Sequence, residues 1–164
     1  MVGKGHLGYQ TIDHLPVNRG FDSHVGYLEA AEDYHWGNRG RMGPEHCNAS
    51  AASCLKDMWL DHLPGYEVVD DIFYSANFYT TRAIQLIKAR DVNKPFYLHL
   101  TYQSVHGPFE DPPVWEQIPN GSKWWSHTWG SMLNAVDRGI GNLTAALKVT
   151  VLWDVDCDKM RRMM

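Results

Sequence analysis

The chain has 164 residues, 44% of them hydrophobic and 21% charged, the ordinary make-up of a soluble globular protein with material for one core. Its 15 basic against 19 acidic residues leave a net charge of −4, so there is no cationic field for nucleic acid or an anionic membrane surface, and an anionic substrate would need locally placed cations. The longest apolar stretches, around Phe96 to Leu100 and Val149 to Trp153, fall far short of the ~20 residues that a membrane span requires.

In chain order, Met1-Val2-Gly3-Lys4-Gly5 lacks the apolar segment of a secretory signal. Residues 1 to 70 are dense in Gly, Pro, Asn and His and are expected to be mostly loops. Gly3-Lys4-Gly5-His6-Leu7-Gly8 satisfies G-x-G-x-x-G, with Asp22 downstream. A dinucleotide fingerprint needs a strand before it and a helix opening at its last glycine, whereas this chain runs on into Pro16-Val17-Asn18-Arg19-Gly20, and that reading is rejected. Cys47 and Cys54 stand seven positions apart in a polar, small-residue segment, a span that a short disulfide loop can close, and Cys157 is left over. Sequons begin at Asn48, Asn120 and Asn142, and together with the cysteine pair they point to the secretory pathway.

From Ser75 as N-cap, Phe78, Ala83, Ile84, Leu86 and Ile87 fit an amphipathic helix ending near Arg90. Phe96 to Tyr102 then reads as a strand buried on both faces in a parallel sheet. It opens into Gln103-Ser104-Val105-His106-Gly107-Pro108, which puts His106 beyond the carboxyl end of a strand, where α/β active sites gather. A second helix is expected from about Ser126 to Lys148, with a stripe of Trp129, Met132, Leu133, Val136, Ile140, Leu143 and Leu147, weakened by Gly139 and Gly141. Helix, strand, loop and helix in this order give an α/β layer architecture. The other histidines show no zinc-site spacing, and Trp36 and the Trp124, Trp125, Trp129 cluster read as packing residues.

Read as a whole, the segments form an ordered series. Gly-Lys-x-His-Leu-Gly at Gly3 is followed by Asn18-Arg19-Gly20-Phe21-Asp22, Gly26-Tyr27-Leu28 and Glu32-Asp33-Tyr34. Next come the Cys47 to Cys54 loop and Tyr74-Ser75-x-Asn77-x-Tyr79-x-x-Arg82-Ala83-Ile84. Lys94-Pro95-Phe96-Tyr97-Leu98, Gln103-Ser104-Val105-His106-x-Pro108, Val136-Asp137 and Gly141-Asn142-Leu143-Thr144-Ala145-Ala146-Leu147 complete it. The series resembles sulfatases of the alkaline phosphatase-like superfamily, in particular the arylsulfatase B-like branch, over residues 2 to about 154. Gly5 departs from the pattern, where the family has Trp.

The resemblance implies an incomplete three-layer α/β/α sandwich, with residues 1–154 as part of the N-terminal catalytic domain and 155–164 as a divergent tail. It implies hydrolysis of the sulfate esters of sulfated sugars or of aryl sulfates, with Ca²⁺ as cofactor. Lys4 would set its ammonium against the nucleophile and a sulfate oxygen, His6 would exchange a proton at the nucleophile, and His106 would contact the sulfate or protonate the leaving oxygen. Such a division of labour suits the reaction, because a sulfate ester surrounds its sulfur with negative oxygens and its leaving oxygen gathers charge as the bond breaks. The family's nucleophile motif, Cys-x-Pro-x-Arg, does not occur in this chain, and the carboxylates expected to hold Ca²⁺ are absent from it as well. Asp156 and Asp158 are not taken as ligands. The isolated chain is therefore expected to be inactive and, with open sheet edges, poorly soluble. A catalytically dead sulfatase-like binding protein and a phosphatase or phosphodiesterase of the same superfamily are the alternatives.

Overall fold

The computed structural model describes residues 1–35, 56–65, 74–119 and 124–150. Cys47, Cys54, Cys157, Asn48, Asn120 and the tail 155–164 lie outside them. The described residues form a mixed five-stranded sheet and two long helices, an α/β arrangement. The strands are β1 (Val2–Gly3), β2 (Val25–Gly26), β3 (Trp59–Leu60), β4 (Leu63–Pro64) and β5 (Leu100–Thr101), in spatial order β4-β3-β2-β1-β5. β1 runs parallel to both neighbours, with Val2 opposite Val25 on one side and Leu100 on the other. β3 joins β2 and β4 antiparallel, completing a hairpin at the far edge.

Two glycines allow the three parallel strands to approach. Gly3, at φ +99°, leaves no room for a side chain, since a Cβ there would lie 1.9 Å from the Thr101 carbonyl oxygen. Gly26, at φ +153°, would place a Cβ 2.0 Å from the Gly3 carbonyl oxygen. Glycine meets both demands, having no Cβ and free access to positive φ. Four strands thus come from the glycine-rich stretch that the composition marks as loop.

Helix α1 (Ser75–Ala89) lies close to the expected span, but Tyr74, not Ser75, is its N-cap residue. Ser75 is the first helical residue, and its N–H donates to the Tyr34 carbonyl at 2.9 Å. The helix buries Ala76, Tyr79, Thr80, Ala83 and Ile87, spaced three and four apart, which is one face. Tyr79 packs against Val2, Val25, Tyr27 and Met58, with Phe78, Leu86, Leu98, Leu100 and Tyr102 around them. Each large side chain so buried contributes on the order of 1.5–3 kcal/mol.

Helix α2 (Trp124–Val149) packs along α1. Its inward face differs from the expected stripe. Thr128, Ser131, Met132, Ala135 and Ala146 are buried, while Trp129, Leu133 and Ile140 are 44%, 47% and 51% exposed. Small residues win the interior because α2 passes very close to α1 and to Tyr102, just after β5. A Cβ on Gly139 would lie 2.5 Å from Thr80 Oγ1 and 2.9 Å from the Tyr102 hydroxyl, two groups that are themselves hydrogen-bonded at 2.6 Å. The helix-propensity cost of Gly139, about 1 kcal/mol, is met by that close passage.

The strand expected from Phe96 to Tyr102 is shorter and less enclosed. Its ladder is limited to Leu100–Thr101, at the edge of the described sheet, and Tyr97 is 75% exposed. Among the described residues β5 has β1 as its one neighbour, which leaves the side chains before Leu100 open on the other side.

Candidate active site

Lys4 and His6 directly follow β1, and His106 lies five residues beyond Thr101 of β5, so all three leave the carboxyl ends of adjacent parallel strands. The loop after β2, residues 27–34, leaves the same end. Crevices beyond the carboxyl ends of parallel strands are where open α/β sheets bind ligands.

The loop from Lys4 to Gly8 is positioned by its backbone. Lys4 N–H donates to the Thr101 carbonyl at 3.0 Å, and the Thr101 hydroxyl donates back to the Lys4 carbonyl at 2.8 Å. Gly5 and His6 donate to the carbonyls of Tyr27 and Leu28 at 2.7 and 3.2 Å, extending the ladder past the last strand residue. His6 turns the chain with φ +47°, a left-handed conformation that histidine adopts more readily than most side chains, and it leaves the imidazole exposed. Lys4 is partly buried, and the loss of solvent lowers its pKa below the ordinary lysine value. Gly5 sits close to Tyr27 and Leu28, where a Cβ would be 3.1 Å from the Tyr27 carbonyl oxygen.

The His106 loop is positioned by side chains. The Tyr34 hydroxyl donates to the His106 carbonyl at 2.7 Å, and the Tyr34 N–H donates to Glu110 Oε2 at 2.7 Å. Gln103 Nε2 donates to the Glu32 carbonyl, and His106 N–H donates to the Gln103 carbonyl at 3.0 Å. The His106 ring is exposed, and its Nδ1 lies 2.6 Å from the Gly107 carbonyl oxygen. A carbonyl can only accept, so Nδ1 carries the proton and Nε2 is the atom left to face a substrate.

Behind these loops lies a buried polar layer. Glu32 is fully buried and accepts a hydrogen bond from the Tyr79 hydroxyl at 2.9 Å. Burial drives its pKa well above the usual carboxylate range. Asp57 braces the loop after β2, its Oδ2 accepting from the N–H groups of Leu28 and Glu29 at 3.1 and 2.7 Å. Burial and the nearby carboxylates also raise the pKa values of Tyr27 and Tyr34, which keeps their hydroxyls protonated.

Sequence reasoning named Lys4, His6 and His106, and the structure brings their loops to one end of the sheet. It missed the supporting role of Tyr34, Gln103, Glu110 and Asp57, although Glu32-Asp33-Tyr34 and Gln103 fall within the motifs quoted above. Among the described residues no three His, Cys, Asp or Glu side chains converge as a metal-ligand set. The described residues by themselves build no Ca²⁺ site, and no chemical step is assigned to one.

Comparison with known proteins bears on the same residues. No family model matches the chain. It is 32% identical over 152 residues to arylsulfatase J of Mus musculus, covering 90% of this chain and 23% of the mouse protein. It is 28% identical over 113 residues to an uncharacterized sulfatase of Schizosaccharomyces pombe, covering 68% of this chain and 19% of that protein. The chain therefore spans about a fifth of the length of these relatives. Among solved structures, Ps i-CgsB superimposes with a TM-score of 0.71 at 29% identity, over 91% of this chain and 33% of that one. Its complex with k-i-k-neocarrahexaose gives 0.73 at 27% identity, over the same shares. With sulfatase relatives along nearly all of its length and a matching α/β fold, the chain belongs to the sulfatase family.

Proposed function

We propose that this chain is the part of a sulfuric ester hydrolase that supplies Lys4, His6 and His106 to the reacting sulfate. The observation that carries the reading is the departure of these three side chains from the carboxyl ends of two adjacent parallel strands, β1 and β5, in a member of the sulfatase family. Lys4 offers a cation to the sulfate oxygens. Its partial burial weakens competition from water and strengthens that attraction. His106 presents Nε2, whose proton in the imidazolium form passes to the leaving oxygen as the sulfur–oxygen bond breaks. His6, in its left-handed turn, offers an exposed imidazole as the proton-exchanging group.

The substrate class we infer is a sulfated glycan, a reading supported by the complex of Ps i-CgsB with a hexaose. Residues 1–154 are read as part of the catalytic domain, with Ca²⁺ as the metal of the complete site. A Cys47–Cys54 disulfide, glycans at Asn48, Asn120 and Asn142, and passage through the secretory pathway to a lysosomal or extracellular destination belong to the same proposal. Asn142 is exposed on α2, as an acceptor must be.

The test is turnover of an aryl sulfate and of a sulfated oligosaccharide by the complete gene product containing this chain. Sulfate release that His106→Ala lowers by about 100-fold or more is expected. Hydrolysis of phosphate esters without sulfate esters would overturn the reading. The 164 residues alone are expected to release no sulfate, since the nucleophile motif is not among them.

A further inference from the structure

The segment Glu32 to Tyr34 touches the His106 loop at three places. Its Glu32 carbonyl receives Gln103 Nε2, the Tyr34 hydroxyl reaches the His106 carbonyl at 2.7 Å, and the Tyr34 N–H reaches Glu110 at 2.7 Å. These contacts fall before, at and after the histidine. Tyr34 is itself fixed, being fully buried and stacked on Tyr74 with ring centroids 5.6 Å apart. Tyr74 caps α1, and the first helical N–H, that of Ser75, returns to the Tyr34 carbonyl. A rigid helix end thus continues through two tyrosines to the backbone of an exposed histidine.

We propose that Tyr34 is a positioning residue for His106: its hydroxyl holds the His106 carbonyl, and so the direction in which the imidazole Nε2 is presented to the substrate. The inference rests on the reading of His106 given above and adds a residue that does not touch the reacting atoms. Exposure explains the need. The His106 ring has solvent around it and an Nδ1 bond to its neighbour Gly107, so its aim is determined by where the 103–110 backbone is held. Burial raises the pKa of the Tyr34 hydroxyl, which favours its protonated, donating form. Glu110 closes the loop from the other side by accepting from the backbone of the same tyrosine.

Tyr34→Phe keeps the ring and its stacking on Tyr74 and removes one oxygen. In the complete protein it is expected to lower kcat for an aryl sulfate by about 10- to 100-fold with little change in KM, the range that a small misplacement of a catalytic group produces. Glu110→Gln, which retains an oxygen acceptor for the Tyr34 N–H, is expected to stay within about threefold of the parent, whereas Glu110→Ala loses activity as Tyr34→Phe does. A second readout does not depend on turnover. The ¹⁵N shifts of the His106 ring, assigned with His106→Ala and read at a pH where the ring is neutral, should show the Nδ1–H tautomer in the parent and a tautomer mixture in Tyr34→Phe. Identical ring shifts in parent and Tyr34→Phe would sink the positioning role. So would an unchanged kcat in Tyr34→Phe when His106→Ala abolishes turnover. If His106→Ala leaves turnover intact, the catalytic reading of His106 falls, while the ring shifts still decide whether Tyr34 holds it.

Discussion

The two loops that frame the site are held by opposite means. The Lys4 to Gly8 loop extends a backbone ladder, each of Lys4, Gly5 and His6 donating its N–H to a carbonyl of β5 or of the segment after β2. The Gln103 to Glu110 loop relies on side chains, among them the Tyr34 hydroxyl, the Gln103 amide and the Glu110 carboxylate. A ladder tolerates most side-chain changes and fails where a Cβ cannot fit. A side-chain brace fails at single atoms. The same kind of substitution should therefore have very different effects in the two regions.

Gly3→Ala is the sharpest way to break the comparison, because the added carbon would meet the Thr101 carbonyl oxygen at 1.9 Å in a conformation that alanine already disfavours. A loss above about 4 kcal/mol is expected, enough to remove the cooperative unfolding transition of a marginally stable domain. A soluble variant with the parental denaturation midpoint would show that the ladder is not what spaces the strands.

Acid should loosen both loops together, from the other end of the sheet. His24, next to β2 and almost fully buried, has its pKa lowered by desolvation from 6.5 to about 4. Between those values the unfolded chain takes up a proton that the folded chain refuses, so stability is present above 6.5 and falls as pH drops towards 4. The whole window amounts to about 3 kcal/mol. Glu32 acts in the opposite sense over the same range, so the test is made in Glu32→Gln, where urea midpoints that stay level from pH 7 to 4.5 would contradict this.

Glu32→Gln separates the brace from the ladder. The carboxyl's pKa is raised above 4.5, so in the window above that value the folded chain keeps a proton that the unfolded chain has released, and stability declines as pH rises. Glutamine cannot ionise and keeps an oxygen for the Tyr79 hydroxyl. The variant should match the parent near pH 4.5 and exceed it increasingly towards pH 8 in thermal melts. A variant that is less stable at pH 8 would show that the charged form is the one held. Smallest of all, Gly8→Ala should cost about 1 kcal/mol by calorimetry, since φ is +86° but nothing lies within 4 Å of the added carbon. A loss as large as that of Gly3→Ala would mean that the outer loop is held as tightly as the strand.

What could be read from the residues follows the same division. Helix α1 was legible from Phe78, Ala83, Ile84, Leu86 and Ile87, although of these only Ala83 and Ile87 are buried and Ala76, Tyr79 and Thr80 complete the inward face. Strands of two residues carry no period, so β1 to β4 left no trace except glycines that look like loop. In α2 the large apolar residues misled, since close helix packing selects Ser131, Ala135 and Gly139 for the inside and turns Trp129 and Leu133 outward. His106 could be placed at a strand end by its context, whereas Lys4 and His6 rested on resemblance alone. The Tyr34 hydroxyl reaches a partner 72 positions away, a contact that local pattern does not encode.

The close passage of β2, β1 and β5 has an evolutionary side. At Gly26 an added Cβ would strike Gly3, and at Gly3 one would strike Thr101, so neither position can acquire a side chain while its neighbour stays where it is. A single substitution that adds a side chain at either position collides with the neighbouring backbone. The loops above are free to vary in length and chemistry, while the pitch between the strands from which they spring stays locked. A lineage built on this sheet can explore new substrates through its loops and still inherit the same distance between the stems of the Lys4 and His106 loops.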